Sequence, residues 1–266
     1  MRSIMRYLRF VLLLSKLKMS HMMVFRLSFF GASFADGILF LIQLLTFHII
    51  FGQVDSIGGW ERGEMIIFIG TFSMINGLTM VIYFFGISSI PEKIQGGGLD
   101  VYLTKPVNPL LHLTFESIHP GSVPLLLFSI IIIIYGVSEL GVHVTVPLII
   151  GYTGITLLMT LLYYNIELIL RTLPFFFIGT GAIDRLAGTL VDLNFKVPGV
   201  IYQGVFKIIF YFILPYGIMA TIPTQVLSRT LTFMGLLQAL FVVIFFTAFA
   251  LWFWKLGLKH YRSASS

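Results

Sequence analysis

From Leu231 to Trp254 the chain runs for 24 residues without a lysine, arginine, aspartate or glutamate, and five other long apolar runs are spaced along its 266 residues. This pattern constrains the fold more than any other feature. About 20 apolar residues in a helix are needed to cross the hydrocarbon of a bilayer. Helices are the natural way to do so, because each satisfies its own backbone hydrogen bonds. The sequence therefore predicts an all-α integral membrane protein with six transmembrane helices. Composition agrees: 58% of residues are hydrophobic and 11% charged, against about a quarter charged in soluble domains. The absence of cysteine excludes disulfides and thiolate metal sites.

The expected spans are about 27–51, 65–89, 115–137, 144–170, 201–222 and 231–254, within a transmembrane domain of residues 25–256. Residues 1–24 carry Arg2, Arg6, Arg9, Lys16 and Ser20 on one stripe and are expected to form an amphipathic helix in the cytoplasmic interface. Lys16 and Lys18 interrupt the apolar run after Arg9, which favours a retained helix over a cleaved signal peptide. Residues 171–200, punctuated by Arg171, Asp184, Arg185, Asp192 and Lys196, are expected to continue the fourth helix into an interfacial helix, a seventh half-span being the alternative. Pro223, Thr224, Gln225 and Arg229 suggest a short re-entrant turn, and residues 257–266 form a basic tail.

Lysine and arginine set the orientation. Fifteen fall before the first span, between spans two and three, between Arg171 and Lys207, or in the tail; only Arg62 and Arg229 fall on the other side. Both termini are thus expected in the cytoplasm. The net charge of +6 is explained by this rule and by anionic lipid, not by nucleic acid.

The motifs of common chemistry are missing. The sequence contains no GxxxxGK[ST] phosphate loop, no HExxH and no GxSxG, so neither ATP hydrolysis nor hydrolase chemistry is expected in this chain. Its six histidines do not share the helical spacing of a metal site. Polar groups inside the spans carry two readings, since a charge near mid-bilayer is costly. Asp36, Gln43 and His48 in the first span either face a transport pathway or hydrogen-bond across a helix contact. Asn76 and Thr79 are expected to pack. Glu167 and Arg171, four residues apart, are expected to form an internal ion pair, with an inner-gate role as the functional reading. Lys207 is expected to snorkel.

The segment IPEKIQGGGLDVYLTKPVNPLL, Ile90 to Leu111, is the most informative. Pro91 and Gly96–Gly98 break helix propagation; a short amphipathic helix with Leu99, Val101, Tyr102 and Leu103 follows, then the rigid Lys105–Pro109 exit. A simple turn between two spans needs only a few residues, whereas this loop spends some twenty, in a form a soluble partner could grip.

Here the chain resembles the six-span permease subunits of type-2, exporter-like ABC transporters. The resemblance begins at Gly59-Trp60-Glu61 and Glu64-Met65, continues through Ile90-Pro91, and is strongest at Gly98-Leu99-Asp100, Tyr102-Leu103 and Lys105 to Pro109. It continues more weakly at Pro198, Tyr202 and Phe212 to Pro215. One departure is that Gly97 or Gly98 stands where the family often has an acidic residue. The resemblance implies a bacterial inner-membrane permease paired with a second permease chain, the same or different. Two separate ATPase subunits would bind ATP and magnesium. Residues 90–112 would be the coupling loop, with contacts from Glu92, Lys93, Leu99, Asp100, Tyr102, Leu103 and Lys105. A hydrophobic or amphipathic substrate would move outwards. Competing readings are a non-transporting assembly or regulatory subunit, an intramembrane enzyme using Asp36, His48 or Glu167, and an ion-coupled secondary transporter, the last weakened by the absence of an inverted repeat.

Overall fold

The computed structural model describes residues 26–177 and 197–261, with positions 185, 188, 189, 191 and 192 between them. The expected helix over residues 1–24 and the end of the tail, 262–266, lie outside the described residues. Helix α1 spans Arg26–Ile50 and α2 Arg62–Ile82. After a single helical turn over Phe84–Ile87 come three short helices, α3 (Ile90–Gln95), α4 (Asp100–Leu103) and α5 (Pro109–Phe115). Then come α6 (Val123–Leu140), α7 (Val146–Thr172), α8 (Thr221–Leu227) and α9 (Phe233–His260).

Local chemistry sets the helix ends. The Glu61 backbone N–H donates to the Glu64 carboxylate at 3.0 Å, tying down the start of α2. Pro147 sits in the first turn of α7, where a missing N–H costs nothing. Gly141, at φ 63°, closes α6 in the left-handed conformation that glycine adopts without strain. Thr232 caps α9 by accepting from the Gly235 N–H at 3.1 Å.

Helices α2 and α6 form the closest contact in the bundle. Gly63, Gly70 and Gly77 recur every seven residues, about two helical turns, and so share a face. A Cβ at Gly70 would lie 2.7 Å from Ile133, and one at Gly136 would meet the Ile67 N at 2.9 Å and the Gly63 O at 3.0 Å. The missing side chains let the two backbones approach, as small residues do wherever helices pack in a membrane. A second packing centre joins α2, α7, α8 and α9 through Ile75, Ile155, Met159, Met219, Ile222 and Val243.

Among the described residues four helical stretches are long and apolar enough to cross a membrane: Arg62–Ile82, Pro120–Leu140, Val146–Phe175 and Phe233–His260. These occupy the second, third, fourth and sixth expected spans. The first expected span is the single helix α1, in which the apolar stretch among the described residues is Gly37–Ile50.

The fifth expected span, 201–222, is not one helix, and this corrects the sequence reading. Val200 and Ile201 lie against Gly58, in the turn before α2. The chain is then helical over Gly204–Ile208 and π-helical over Ile209–Ile213. Leu214 and Pro215 share a cavity with Ile166, Ile169 and Leu170, far along α7. Through α8 the chain then climbs back until the Arg229 guanidinium donates to the His143 carbonyl at 2.7 Å, just before α7 begins. The segment is a hairpin that goes in and returns. Pro215 removes a donor and restricts the residue before it. Gly217 then accepts the close turn: its N–H donates to the Phe210 carbonyl at 3.0 Å. The Gly199 N–H donates to the Thr221 hydroxyl at 2.9 Å, pinning the hairpin to the strand of chain that enters it.

Of residues 171–200, Leu173–Phe175 continue α7 as a 3-10 turn, positions 185, 188, 189, 191 and 192 are helical, and Val191 packs against the central apolar cluster. The remaining positions of that stretch lie outside the described residues.

Candidate functional site: the braced loop

The loop between α2 and α6 has an inner and an outer side. Leu99 anchors the inner side. It is fully buried among Ile87, Ile90, Leu110, Leu113 and Trp254. The chain reaches it through Gly97, at φ 72°, and the turn is closed by the Leu99 N–H donating to the Lys93 carbonyl at 3.1 Å. Leu99, expected at the partner contact, therefore faces into this chain, because an apolar side chain at that point of the helix gains most from the cluster beneath it.

Tyr102 occupies the centre. Its hydroxyl donates to the Glu116 carboxylate at 2.6 Å, and its ring lies 5.1 Å from the Lys93 ammonium, 5.4 Å from that of Lys105 and 4.9 Å from the His112 ring. Two cations within cation–π range of one tyrosine ring lie on a partly desolvated surface. Glu116 also pairs with Lys93 and accepts from the Ser89 hydroxyl at 3.2 Å, so one carboxylate joins α3, α4 and the chain after α5. Burial, and after it the hydrogen bond and charge of Glu116, holds the Tyr102 phenol above its ordinary value. Burial and then the positive charge of Lys105 push the His112 imidazole below its ordinary value, opposed by Glu116.

The outer side is made of what remains. Val101 and Leu103 are 56% and 41% exposed, and Glu92 and Lys105 are exposed beside them. The exit is rigid for a local reason. The Asn108 side-chain oxygen accepts from the Leu110 N–H at 3.0 Å and caps α5, and Pro109 fills its first position. The Thr114 and Tyr164 hydroxyls meet at 2.9 Å, which ties α5 to α7.

The loop thus brings together Lys93, Leu99, Tyr102 and Lys105 of the expected coupling residues, with Glu92, Asp100 and Leu103 on the same short helices. Glu116 was missed by reasoning from sequence. A signal existed: it is the only charged residue between Lys105 and Glu139.

The other expected site residues lie elsewhere. Glu167 and Arg171 do pair, at 3.3 Å, with side chains only 4% and 14% exposed. Gln43 is buried, whereas His48 is exposed on α1 beside a cavity shared with Arg62. The side chain of Asp36 lies outside the described residues. Thr79 packs, its hydroxyl 2.9 Å from that of Tyr83. No group of residues able to hold a metal ion occurs among the described residues.

The loop is thus braced inside and presents Val101 and Leu103, with Glu92 and Lys105, on its outer side. Comparison with known proteins gives it a family. The model of the family described as ABC-2 family transporter protein matches residues 38–265. The chain belongs to the ABC-2 transporter family. No curated protein and no solved structure matches it. The ABC-2 proteins are the membrane components of transporters, not themselves the catalytic part, and normally work with an ABC ATPase. The match extends from the middle of α1 past the end of α9, so it takes in the loop, the hairpin and the glycine seam together.

Proposed function

We propose that this chain is the permease subunit of an ATP-driven exporter. It moves a hydrophobic or amphipathic substrate outwards across the bacterial inner membrane, with both termini in the cytoplasm. ATP and magnesium belong to two separate ATPase subunits, and a second permease chain, the same or different, completes the pathway. The loop of residues 90–112 is the coupling element. One observation carries this reading: the loop is braced on one side and presents two exposed apolar side chains, Val101 and Leu103, on the other. A partner cleft gains by burying Val101 and Leu103. Because Leu99 and the Tyr102–Glu116–Lys93 group fix the loop to α3, α5 and the foot of α7, motion of that cleft moves the bundle rather than bending the loop. Glu167 and Arg171, within the same end of α7, are the inner gate.

The test compares two faces of the same helix. The tagged chain is purified from its native host, and the complex recovered is assayed for ATP hydrolysis in vesicles. Replacing Val101, Leu103 and Lys105 together with alanine is expected to lose the Walker-motif ATPase while the chain itself stays folded. Retention of that ATPase with unaltered hydrolysis would overturn the coupling assignment.

A further inference from the structure

At the end of the bundle opposite the loop, α1, α2 and α6 enclose a cavity of about 320 Å³, at the small end of the ligand-site range. Its floor is apolar, with Leu44, Phe47 and Met65, and its rim carries His48, Arg62 and Tyr135. From this arrangement we infer that the cavity is a binding site for an anionic membrane lipid, one acyl chain lying on the floor and the headgroup phosphate meeting Arg62.

Depth is the first argument. Arg62 is the first residue of an apolar helix that runs to Ile82, so it stands where the hydrocarbon ends and headgroups begin. Access is the second. The cavity opens outward along its own lining: Leu41 and Leu45 of α1 are 52% and 62% exposed, and Tyr135 of α6 is 48% exposed. A lipid chain reaches the floor from the side, with no need to pass through the bundle.

Charge is the third argument, and it selects the headgroup. Among the described residues the charged group lining the cavity is Arg62; no carboxylate lines it. Glu139 approaches Arg62 from outside at 3.8 Å, with both side chains well exposed, 40% and 37%. An exposed pair at that distance is weak. It leaves most of the guanidinium's five donors for a phosphate, which the planar fork suits better than an ammonium would. A neutral zwitterionic headgroup brings its own cation to the same place and gains less.

This site does not depend on the ATPase partner, and neither does its test. The purified, delipidated chain is titrated with phosphatidylglycerol and phosphatidylcholine of matched chains, and bound lipids are counted by native mass spectrometry. The wild type is expected to bind phosphatidylglycerol at least fivefold more tightly. Arg62→Gln is expected to remove that preference. Glu139→Gln, which frees the guanidinium, is expected to strengthen phosphatidylglycerol binding two- to fivefold. Leu44→Trp, filling the floor, is expected to weaken both lipids while leaving the charges in place. Equal affinities in the wild type would overturn the inference. So would a Glu139→Gln variant that weakens in step with Arg62→Gln, since that would make the ion pair a structural link rather than a competitor. Unaltered binding by Leu44→Trp would do the same.

Discussion

The seam between α2 and α6 and the brace beneath the loop hold neighbouring parts of one bundle by opposite means. The seam works by omission: Gly63, Gly70 and Gly136 leave out side chains so that two backbones pack at contact distance. The brace works by charge, with Glu116 at the meeting point of Lys93, Ser89 and Tyr102. Dispersion contacts between close backbones have no titratable part and do not respond to salt. Charge-assisted hydrogen bonds near a surface respond to both. The end of the bundle that carries the loop is thus the adjustable one, and the buried helix pair is the fixed one.

The contrast breaks first at Gly136. Replacing it with alanine gains about 1 kcal/mol of helix propensity, yet the new methyl meets backbone atoms at 2.9 and 3.0 Å that cannot rotate away. Overpacking of that kind costs about 1–3 kcal/mol or more. The thermal midpoint of the detergent-solubilised protein should fall, and by the same amount at low and high salt. A midpoint at or above that of the wild type would show that the seam opens freely.

The second break is Glu116→Gln. Hydrogen bonds to charged groups contribute roughly 1.5–3 kcal/mol, and 1.4 kcal/mol is tenfold in an equilibrium constant. Amide exchange across residues 99–104 should therefore quicken by about tenfold or more, while residues 63–77 keep wild-type rates. Equal quickening in both segments would mean that brace and seam are one cooperative unit.

The smallest effect is that of acid on His112. Its imidazole faces Tyr102 and lies in the field of Lys105, Lys93 and Glu116. Its folded value is depressed, so the unfolded loop takes up the proton first. The loop is then fully stable above the ordinary histidine value of about 6.5 and loses stability as pH falls below it. Protection of the loop amides, taken relative to their intrinsic exchange rate at each pH, should fall between pH 7 and 5.5 in the wild type and less steeply in His112→Gln. Identical profiles would remove His112 from the brace.

Much of this was legible in the sequence, for reasons that can be named. The apolar runs gave α2, α6, α7 and α9 because hydrocarbon length and helix rise leave little choice. Proline and glycine at 91 and 96–98 marked the loop. The hairpin was misread because an apolar run between 201 and 222 shows what the side chains prefer but not which way the chain is heading; Pro215 and Gly217 in its middle were the signal. The seven-residue glycine spacing was equally visible in the sequence. Glu116 could not be given a role from sequence, since its partners Tyr102 and Lys93 stand 14 and 23 residues away, a relation that only folding creates.

The tip of the hairpin has a bearing on how such a chain is assembled. At the reversal, the N–H groups of Leu214, Tyr216 and Gly217 all donate to carbonyls of the hairpin itself, those of Ile209, Leu214 and Phe210, and Pro215 has none to give. A bend that leaves the helical pattern normally brings orphaned donors into oil and must wait for a neighbour to quench them. This one quenches three of them, Leu214, Tyr216 and Gly217, within the hairpin itself, so those donors need no neighbouring helix to satisfy them.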